Sequence, residues 1–404
     1  MNKRIILLCA GIASAATVFG AGFQLYTEGS AEALGQAGAV SGRTNLISQA
    51  WYTPAALAGA DRAAIMAGST FVRIETDFDS DLGSGFDSKM ADDWRMIPHF
   101  YGVLPVNENV TGLLSVNAPY GLITEWTDNW IGNMAATYSE LKTIYVTPSV
   151  AAKVTEDLSL SAGFNVVSAE ADLQAFRGAL GMRKLEGDDI GYGYTASAHW
   201  QMADEWGLGA RYQSRVKFKL EGETQFSNLP GAKFDTAANL ELPSTVNIGV
   251  ANSSIDRLHL GLDVVWTEWS TYDQLVYNFG AGYPTPPLSN PEVTPKNWKD
   301  VWSIRAGGEY ELNKNWVVRG GYVWDESPVD DQSRAPELPG SSRHMLMTGL
   351  GWKGEQLGVD LAYSFLWAED ATTGANVVAA TGGATAGSYS TETHLIALSL
   401  SYEF

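Results

Sequence analysis

The sequence has 404 residues and a formal net charge of −20, with 42 glycines, 14 tryptophans and 17 tyrosines. So many aromatic residues argue against a disordered chain, and the negative charge argues against nucleic acid as a partner, because a polyanion would be repelled. The mean hydropathy of −0.10 is too low for a bundle of membrane helices but fits strands in which apolar and polar residues alternate.

The chain begins with the pattern of a secretory signal. Two basic residues precede an apolar run that extends to Phe19. We therefore predict a cleaved signal peptide over residues 1–20 and a mature chain that begins at Ala21. The single cysteine, Cys9, lies in this segment, so the mature chain would have no thiol for a disulfide, a metal site or a catalytic nucleophile. A lipoprotein anchored through Cys9 is the alternative, but it would need a longer apolar run before the cysteine.

The next segment, residues 21–61, shows no strand-like alternation and is named the hatch here. It is rich in Gly and Ala, and a short helix is predicted near 31–37. A second helix start is predicted at Thr53, Pro54 and Ala55, with Thr53 as the cap and Pro54 at the first helical position. The hatch also contains eight larger apolar residues, Phe23, Leu25, Leu34, Leu46, Ile47, Trp51, Tyr52 and Leu57. A solvated tail tolerates less apolar surface, so we predict a plug inside a barrel; a disordered periplasmic tail is the alternative.

The rest of the chain alternates between apolar and polar residues. The pattern is clearest at 258–267, where every second residue is Leu, Val or Trp. Fourteen such strands are predicted, near 62–78, 96–106, 109–121, 142–155, 158–172, 189–203, 205–221, 242–253, 256–270, 298–312, 315–326, 341–353, 356–369 and 391–404. Many reach about ten residues, which is enough to cross a bilayer at a tilt and more than the strands of a soluble sandwich use.

Two kinds of connection alternate between these strands. Six are very short, at 107–108, 156–157, 204–205, 254–255, 313–314 and 354–355, and seven are long. Short turns belong to the periplasm and long loops to the cell exterior. The pattern predicts an all-β fold, a 14-stranded antiparallel transmembrane β-barrel over 62–404 with the α-helical hatch in its lumen, in the outer membrane of a Gram-negative cell. We expect a monomer that contacts lipopolysaccharide and outer-membrane lipid and presents Phe404 to the barrel-assembly machinery.

Seven short motifs resemble, in order, the FadL family of outer-membrane long-chain fatty acid transporters. They are AGFQL at 21–25, YTPA at 52–55, APYG at 118–121, TEWS at 267–270, NWKD at 297–300, DESP at 325–328 and LPGSSR at 338–343. The resemblance covers the mature chain and implies a fourteen-stranded barrel with an N-terminal hatch. It also implies passive uptake of long-chain fatty acids or similar hydrophobic molecules, with no cofactor. The family's hatch has Asn-Pro-Ala where this chain has Thr53-Pro54-Ala55, which puts a gating role of the asparagine amide in doubt.

The third strand is predicted to be interrupted. Pro119 removes a backbone donor and Gly121 tolerates a bend, so pairing should fail along Asn117, Ala118, Pro119, Tyr120 and Gly121. In the resembling family a kinked third strand forms a lateral exit toward the membrane, and we expect the same here. The alternative is that Pro119 merely ends the strand near the outer rim.

Ligand capture is expected from the third and fourth long loops, near 173–188 and 222–240. The candidate apolar contacts are Phe23, Leu25, Leu173, Phe176, Leu180, Met182, Phe226, Leu229 and Phe234. Basic side chains near such a groove can pair with a carboxylate head group, and the candidates are Arg177, Arg183, Lys184, Lys296 and Lys299. The alternative for each is a side chain that only solvates its loop or bridges lipopolysaccharide phosphates.

Charged residues are also predicted to face the lumen. They are Arg305, Glu309, Arg319 and Asp360. We expect paired networks that hold the hatch rather than an ion path.

Three rival functions make different demands on the sequence. The five histidines lie in or beside separate strands and no Gly-x-Ser-x-Gly elbow accompanies them, so the chain is not expected to be an enzyme. A general diffusion porin would need an open lumen, which a folded hatch would fill. A channel for aromatic hydrocarbons of the same family remains the other alternative.

Overall fold

The computed structural model describes residues 22–24, 29–44 and 46–404. The predicted signal peptide and Ala21 lie outside the described residues, and so does Leu25. Fourteen antiparallel strands form a closed barrel, which confirms the predicted fold class.

The barrel strands are numbered β1 to β14 in chain order, and β3, β7 and β8 each consist of two segments. They are Ala64–Ser80, Arg95–Asn107, Val110–Asn117 with Gly121–Glu125, Tyr138–Lys153, Leu158–Phe176, Met182–Ala203, Trp206–Gln213 with Val216–Phe226, Lys233–Leu242 with Thr245–Ile255, Leu258–Thr267, Val301–Glu311, Trp316–Asp325, Arg343–Lys353, Leu357–Ala368 and Gly387–Glu403.

The remaining elements are short. Helices α1 (Ala31–Leu34) and α2 (Gln49–Tyr52) lie in the hatch, and α3 (Ala375–Ala380) lies between β13 and β14. Short strands occur at Ser88–Lys89, Gln274–Phe279, Glu292–Pro295 and Ala371–Thr372, and single 3-10 turns at Pro54–Leu57, Ser84–Phe86, Gly178–Leu180 and Trp269–Thr271. None of the helices within the described ranges is long and apolar enough to span a bilayer.

Strand β14 closes the barrel against β1. Their pairing runs without interruption from Ala64 and Glu403 to Ser80 and Gly387. Along β14, Leu395 and Ala397 point into the barrel and are buried, whereas the outward-facing Ile396, Leu398 and Leu400 remain 39%, 43% and 50% exposed. An apolar outer face on a closed strand wall is typical of a transmembrane barrel.

Several strands extend further than the sequence predicts. A long loop is expected near 173–188, but β5 and β6 pair as far as Phe176 and Met182. Likewise, β7 and β8 pair as far as Gln225 and Lys233. Charged outward side chains hide the apolar periodicity in these segments, but the backbone ladder continues because each strand finds a hydrogen-bonding partner beside it.

The hatch contacts strands on all sides of the barrel. Its backbone N–H groups donate to wall side chains on β14, β9, β6 and β3, namely Ala31 to Ser399 Oγ (2.8 Å), Ser41 to Asp263 Oδ2 (3.3 Å), Ala55 to Ser197 Oγ (2.9 Å) and Ala60 to Thr111 Oγ1 (3.1 Å). These contacts join the hatch to four strands that lie far apart in the wall. Most of its described residues between 29 and 57 are buried.

The expected helix cap at Thr53 is wrong. Residues Pro54–Leu57 form a 3-10 turn, and in the described part of the chain the Thr53 hydroxyl makes no capping hydrogen bond. The physical reason is that the Ala55 N–H, which would donate to a capping hydroxyl, already donates to Ser197 Oγ on the barrel wall. A side chain of the barrel wall thus accepts the hydrogen bond that the Thr53 hydroxyl was expected to accept.

A row of small residues in the wall receives one side of the hatch. Five of them face one another in direct register across β7 to β11: Gly207, Ala251, Gly261, Gly307 and Gly321. A Cβ on Gly261 would fall on the carbonyl oxygen of Ala39. A Cβ on Gly307 would fall on that of Gln36. The hatch backbone therefore lies directly against wall backbone, a close approach that only glycine permits.

An ion-pair network joins the hatch to the wall below this row. Arg43 pairs with Glu309 at 2.9 Å, and Glu309 also pairs with Arg319 at 2.7 Å. Arg319 in turn pairs with Asp360 at 2.5 Å. All four side chains are at most 10% exposed. The prediction that lumen-facing charges pair is confirmed for Glu309, Arg319 and Asp360, with Arg43 of the hatch as a further partner. Arg305 lies outside this network, and its Nε donates to Ser303 Oγ.

Candidate functional site: an apolar cavity beside a gap in the wall

Two adjoining cavities lie between the hatch and the long connections. The outer one has a volume of about 480 Å³ and the inner one about 90 Å³. Seven residues line both: Leu122, Leu173, Leu185, Tyr272, Leu275, Tyr277 and Lys296. The inner cavity is otherwise mostly apolar and includes Leu141, Leu220 and Leu240, which point inward from β4, β7 and β8. Together the cavities form an apolar recess that is reached from the long-loop side.

Phe23 of the hatch lies at the inner cavity. Four aromatic rings surround it, with centroid distances of 4.6 Å to Trp269, 5.6 Å to Tyr272, 5.6 Å to Trp298 and 6.4 Å to Tyr120. The neighbouring Gly22 has φ +64°, and a Cβ there would lie 2.7 Å from the Trp269 ring. Glycine at position 22 is thus required for Phe23 to reach this aromatic cluster.

Lys296 is the basic side chain that both cavities share. It is 9% exposed, and its Nζ lies 2.5 Å from Glu337 Oε1. The outer cavity is lined by three cations, Arg177, Arg183 and Lys296, but by only two carboxylates, Glu292 and Glu337. The outer cavity therefore has one more cation than carboxylate, because Arg177 and Arg183 share Glu292. The inner cavity is also lined by Glu140 and Glu186, which pair with Lys142 and Lys184.

A second apolar cluster supports the outer cavity from the side. It contains Leu185, Phe226, Phe234, Ala238, Tyr277, Phe279 and Tyr283, with Leu229 packed against it. Glu292 joins this cluster to the cavity because both its oxygens accept from Arg183, with Arg177 3.6 Å away. Burial alone would raise the pKa of Glu292, but the two guanidinium groups hold it below its ordinary value.

The structure separates the predicted ligand contacts into three groups. Phe23 and Lys296 line the inner cavity, and Arg177 lines the outer one. Phe226, Leu229 and Phe234 pack in the second apolar cluster and line neither cavity. Phe176 is half-buried at the end of β5, and Lys299 is 60% exposed and pairs with Glu326.

Sequence reasoning missed the inward-facing leucines of the inner cavity. Leu122, Leu141, Leu220 and Leu240 lie on the lumen side of their strands. Lumen-facing positions of a barrel are usually polar, as Thr111 and Ser115 are lower on β3. The sequence signal that would have indicated the cavity is therefore leucine, in place of a polar residue, at the inward-facing positions of several strands.

The wall has a gap between β2 and β3. In the described chain, the pairing of these strands ends at Phe100 and Val116. Beyond the break at residues 118–120, Gly121–Glu125 pairs with β4 alone. A small cavity at the gap is lined by Gly29, Trp51, Ile97, Pro98, Asn117, Ala118 and Pro119.

The hatch is hydrogen-bonded to the upper edge of this gap. Gly121 N–H donates to the carbonyl oxygen of Phe23 at 2.8 Å, and Gln24 forms an antiparallel bridge with Tyr120. On the other side, Thr143 Oγ1 donates to the carbonyl oxygen of Tyr120 at 2.6 Å. Phe23, which lines the inner cavity, is therefore in direct contact with the break in β3.

The chain is similar to known transport proteins over nearly its whole length. The family model described as "Outer membrane protein transport protein (OMPP1/FadL/TodX)" matches residues 9–404. A long-chain fatty acid transport protein of Escherichia coli O6:H1 is 25% identical over 396 residues, which cover 86% of each chain.

Solved structures share the fold. The crystal structure of a Pseudomonas aeruginosa FadL homologue has a TM-score of 0.79 at 21% identity, covering 96% of this chain and 99% of that one. The Pseudomonas putida toluene transporter TodX has a TM-score of 0.72 at 16% identity, covering 95% and 99%. The chain belongs to the OMPP1/FadL/TodX family of outer membrane transport proteins.

Proposed function

We propose that this protein takes up long-chain fatty acids or similar hydrophobic molecules passively across the outer membrane. The observation that carries the proposal is the apolar double cavity, which reaches from the long loops to Phe23 and thus to the break in β3. The similarity to a long-chain fatty acid transport protein of Escherichia coli O6:H1 also supports the proposal.

The route proposed has three steps. A hydrophobic molecule enters the outer cavity, where Arg177 and Arg183 share the one carboxylate of Glu292 and the excess positive charge favours a carboxylate head group. Its chain then occupies the inner cavity against Phe23. Displacement of Phe23 loosens its hydrogen bond to Gly121 and lets the molecule leave through the gap between β2 and β3 into the membrane. The hatch, held by the glycine row and the ion pairs, keeps the lumen closed to polar solutes throughout.

Uptake of aromatic hydrocarbons is the second candidate, because a toluene transporter shares this fold. A deletion strain complemented with the gene distinguishes the two by its uptake of radiolabelled oleate and of toluene.

Lateral release is tested with Ala118→Trp, which would fill the small cavity at the gap. We expect this variant to bind ligand as the wild type does but to lose uptake. Normal uptake by it would contradict the lateral route, and liposomes that swell in sugars would favour a porin.

A further inference from the structure

Four polar side chains, named the gap quartet here, face the lumen at the lower end of the gap. They are His99 and Tyr101 on β2 and Ser115 and Asn117 on β3, and each is at most 4% exposed. Tyr101 and Ser115 are direct cross-strand partners. His99 and Asn117 each lie two residues further along their strands, beyond the last paired residues. These side chains make the lower end of the gap polar, and Asn117 among them lines the small cavity there.

The hydrogen bonds of the gap quartet are directional. Tyr101 Oη donates its proton to the carbonyl oxygen of Gly29 in the hatch. It must therefore accept from Asn117, whose Nδ2 lies 2.6 Å away. This orients the Asn117 amide, with its nitrogen toward Tyr101 and its oxygen Oδ1 away from it.

Three polar atoms of the gap quartet are not used in these hydrogen bonds. Among the described residues, Asn117 Oδ1, Ser115 Oγ and His99 Nδ1 have no hydrogen-bond partner. His99 Nε2 already lies 2.9 Å from Ser399 Oγ, which also accepts from Ala31 N–H of the hatch. A buried acceptor without a partner is costly, and Asn117 Oδ1 is an acceptor only. Asn117 Oδ1 thus lacks a donor.

We propose that the gap quartet is a head-group subsite that selects cargo carrying an O–H donor, such as a protonated carboxylic acid or an alcohol, over pure hydrocarbon. The O–H group would donate to Asn117 Oδ1, and its oxygen, or the acid carbonyl, would accept from the Ser115 hydroxyl. A hydrocarbon leaves both atoms unpaired. A site that hydrogen-bonds a hydroxyl discriminates strongly against the analogue that lacks it.

This inference rests on the proposed function and names its substrate class. The polar head is expected to pass the gap quartet while the chain enters the hydrocarbon of the bilayer. In the outer cavity a carboxylate meets fixed positive charge, but at the gap no cation lines the small cavity. The subsite therefore favours the neutral, proton-bearing form of the head group, which also suits transfer into lipid.

The test compares two cargoes of equal chain length in the complemented deletion strain, oleic acid and 1-octadecene, the second of which has no head group. Asn117→Leu keeps the approximate volume and removes both the Oδ1 acceptor and the Nδ2 group that donates to Tyr101 Oη. We expect it to lower the initial rate of oleate uptake by roughly tenfold or more and to change octadecene uptake by less than about twofold. Asn117→Ser, which restores a short hydroxyl, should recover part of the oleate rate.

The matched control is Thr393→Val. Thr393 Oγ1 is also buried without a partner among the described residues, but it lies on β14 away from the gap. We expect no change in either uptake rate, and folding of every variant is checked by the electrophoretic mobility of the unheated barrel. An unchanged oleate rate in Asn117→Leu, or an equal loss of both cargoes, overturns the subsite while the transport function stands. If the wild-type protein carries neither cargo, the proposed function itself fails and the subsite with it.

Discussion

Phe23 and Gly121 are joined by a backbone hydrogen bond of 2.8 Å, although they lie 98 positions apart in the chain. Phe23 borders the inner cavity, and Gly121 is the first residue of β3 after its break. A ligand that displaces Phe23 must therefore disturb the edge of the gap. This contact joins the cavity that is proposed to hold cargo to the gap through which cargo is proposed to leave.

Removing the Phe23 ring should weaken ligand retention. Phe23→Ala deletes the centre of the aromatic cluster and leaves a void of the kind that costs about 3–5 kcal/mol in a packed core. We expect the Kd for oleate, measured by quenching of intrinsic tryptophan fluorescence, to rise at least about tenfold, because the cavity loses a wall. Phe164→Ala is the control, since Phe164 is 51% exposed on the outer face. Equal affinities of Phe23→Ala and the wild type would contradict this role.

Two lysines three positions apart should behave differently. Lys296→Met removes the cation that both cavities share, and we expect the Kd for oleate to rise about tenfold, the loss of one charge-assisted hydrogen bond. Binding of the methyl ester should not change, because it carries no charge. Lys299→Met is the control, since Lys299 pairs with Glu326 away from both cavities. If both variants lose affinity equally, a general effect of net charge and not a specific contact is responsible.

Adjacent glycines on β11 provide a test of how the hatch is seated. A Cβ on Gly321 would lie 2.7 Å from Ala37 Cβ, whereas one on Gly320 meets nothing closer than 3.9 Å. Gly321→Ala should therefore overpack the contact with the hatch, at a cost of about 1–3 kcal/mol, and Gly320→Ala should be neutral. Amide hydrogen exchange should become faster in residues 35–42 of Gly321→Ala alone. Identical exchange in the two variants would mean that the hatch is not held by the glycine row.

The loop cluster should depend on pH through Glu292. Because its pKa is lowered in the folded protein, ionised Glu292 stabilises the cluster above the ordinary glutamate pKa of about 4.3, and this contribution is lost as pH falls through the lowered folded value. We expect limited proteolysis of the connection at 280–290 to become faster below about pH 4. Glu292→Gln should be cleaved faster at neutral pH and should lose this pH dependence. A wild-type cleavage rate that is flat with pH would argue against the ion pair.

Much of this molecule follows from local sequence. The alternation at Leu258, Leu260 and Leu262 is sufficient to predict a strand with two unlike faces, because side chains alternate across a strand. Pro119 marks the break in β3, because proline cannot donate to the ladder. The end of β5 was less predictable, because charged residues mask the pattern where the ladder extends beyond the expected membrane span.

The recess and its contacts were decided by tertiary structure. Lys296 and Lys299 have the same chemistry and nearly the same position in sequence, yet one faces the cavity beside Glu337 and the other faces solvent beside Glu326. Sequence alone could propose both but not choose, because each orientation depends on partners about 30–40 residues away that only closure of the barrel brings near. Strand identity is a local property of side-chain alternation, whereas a cavity is a property of which strands become neighbours.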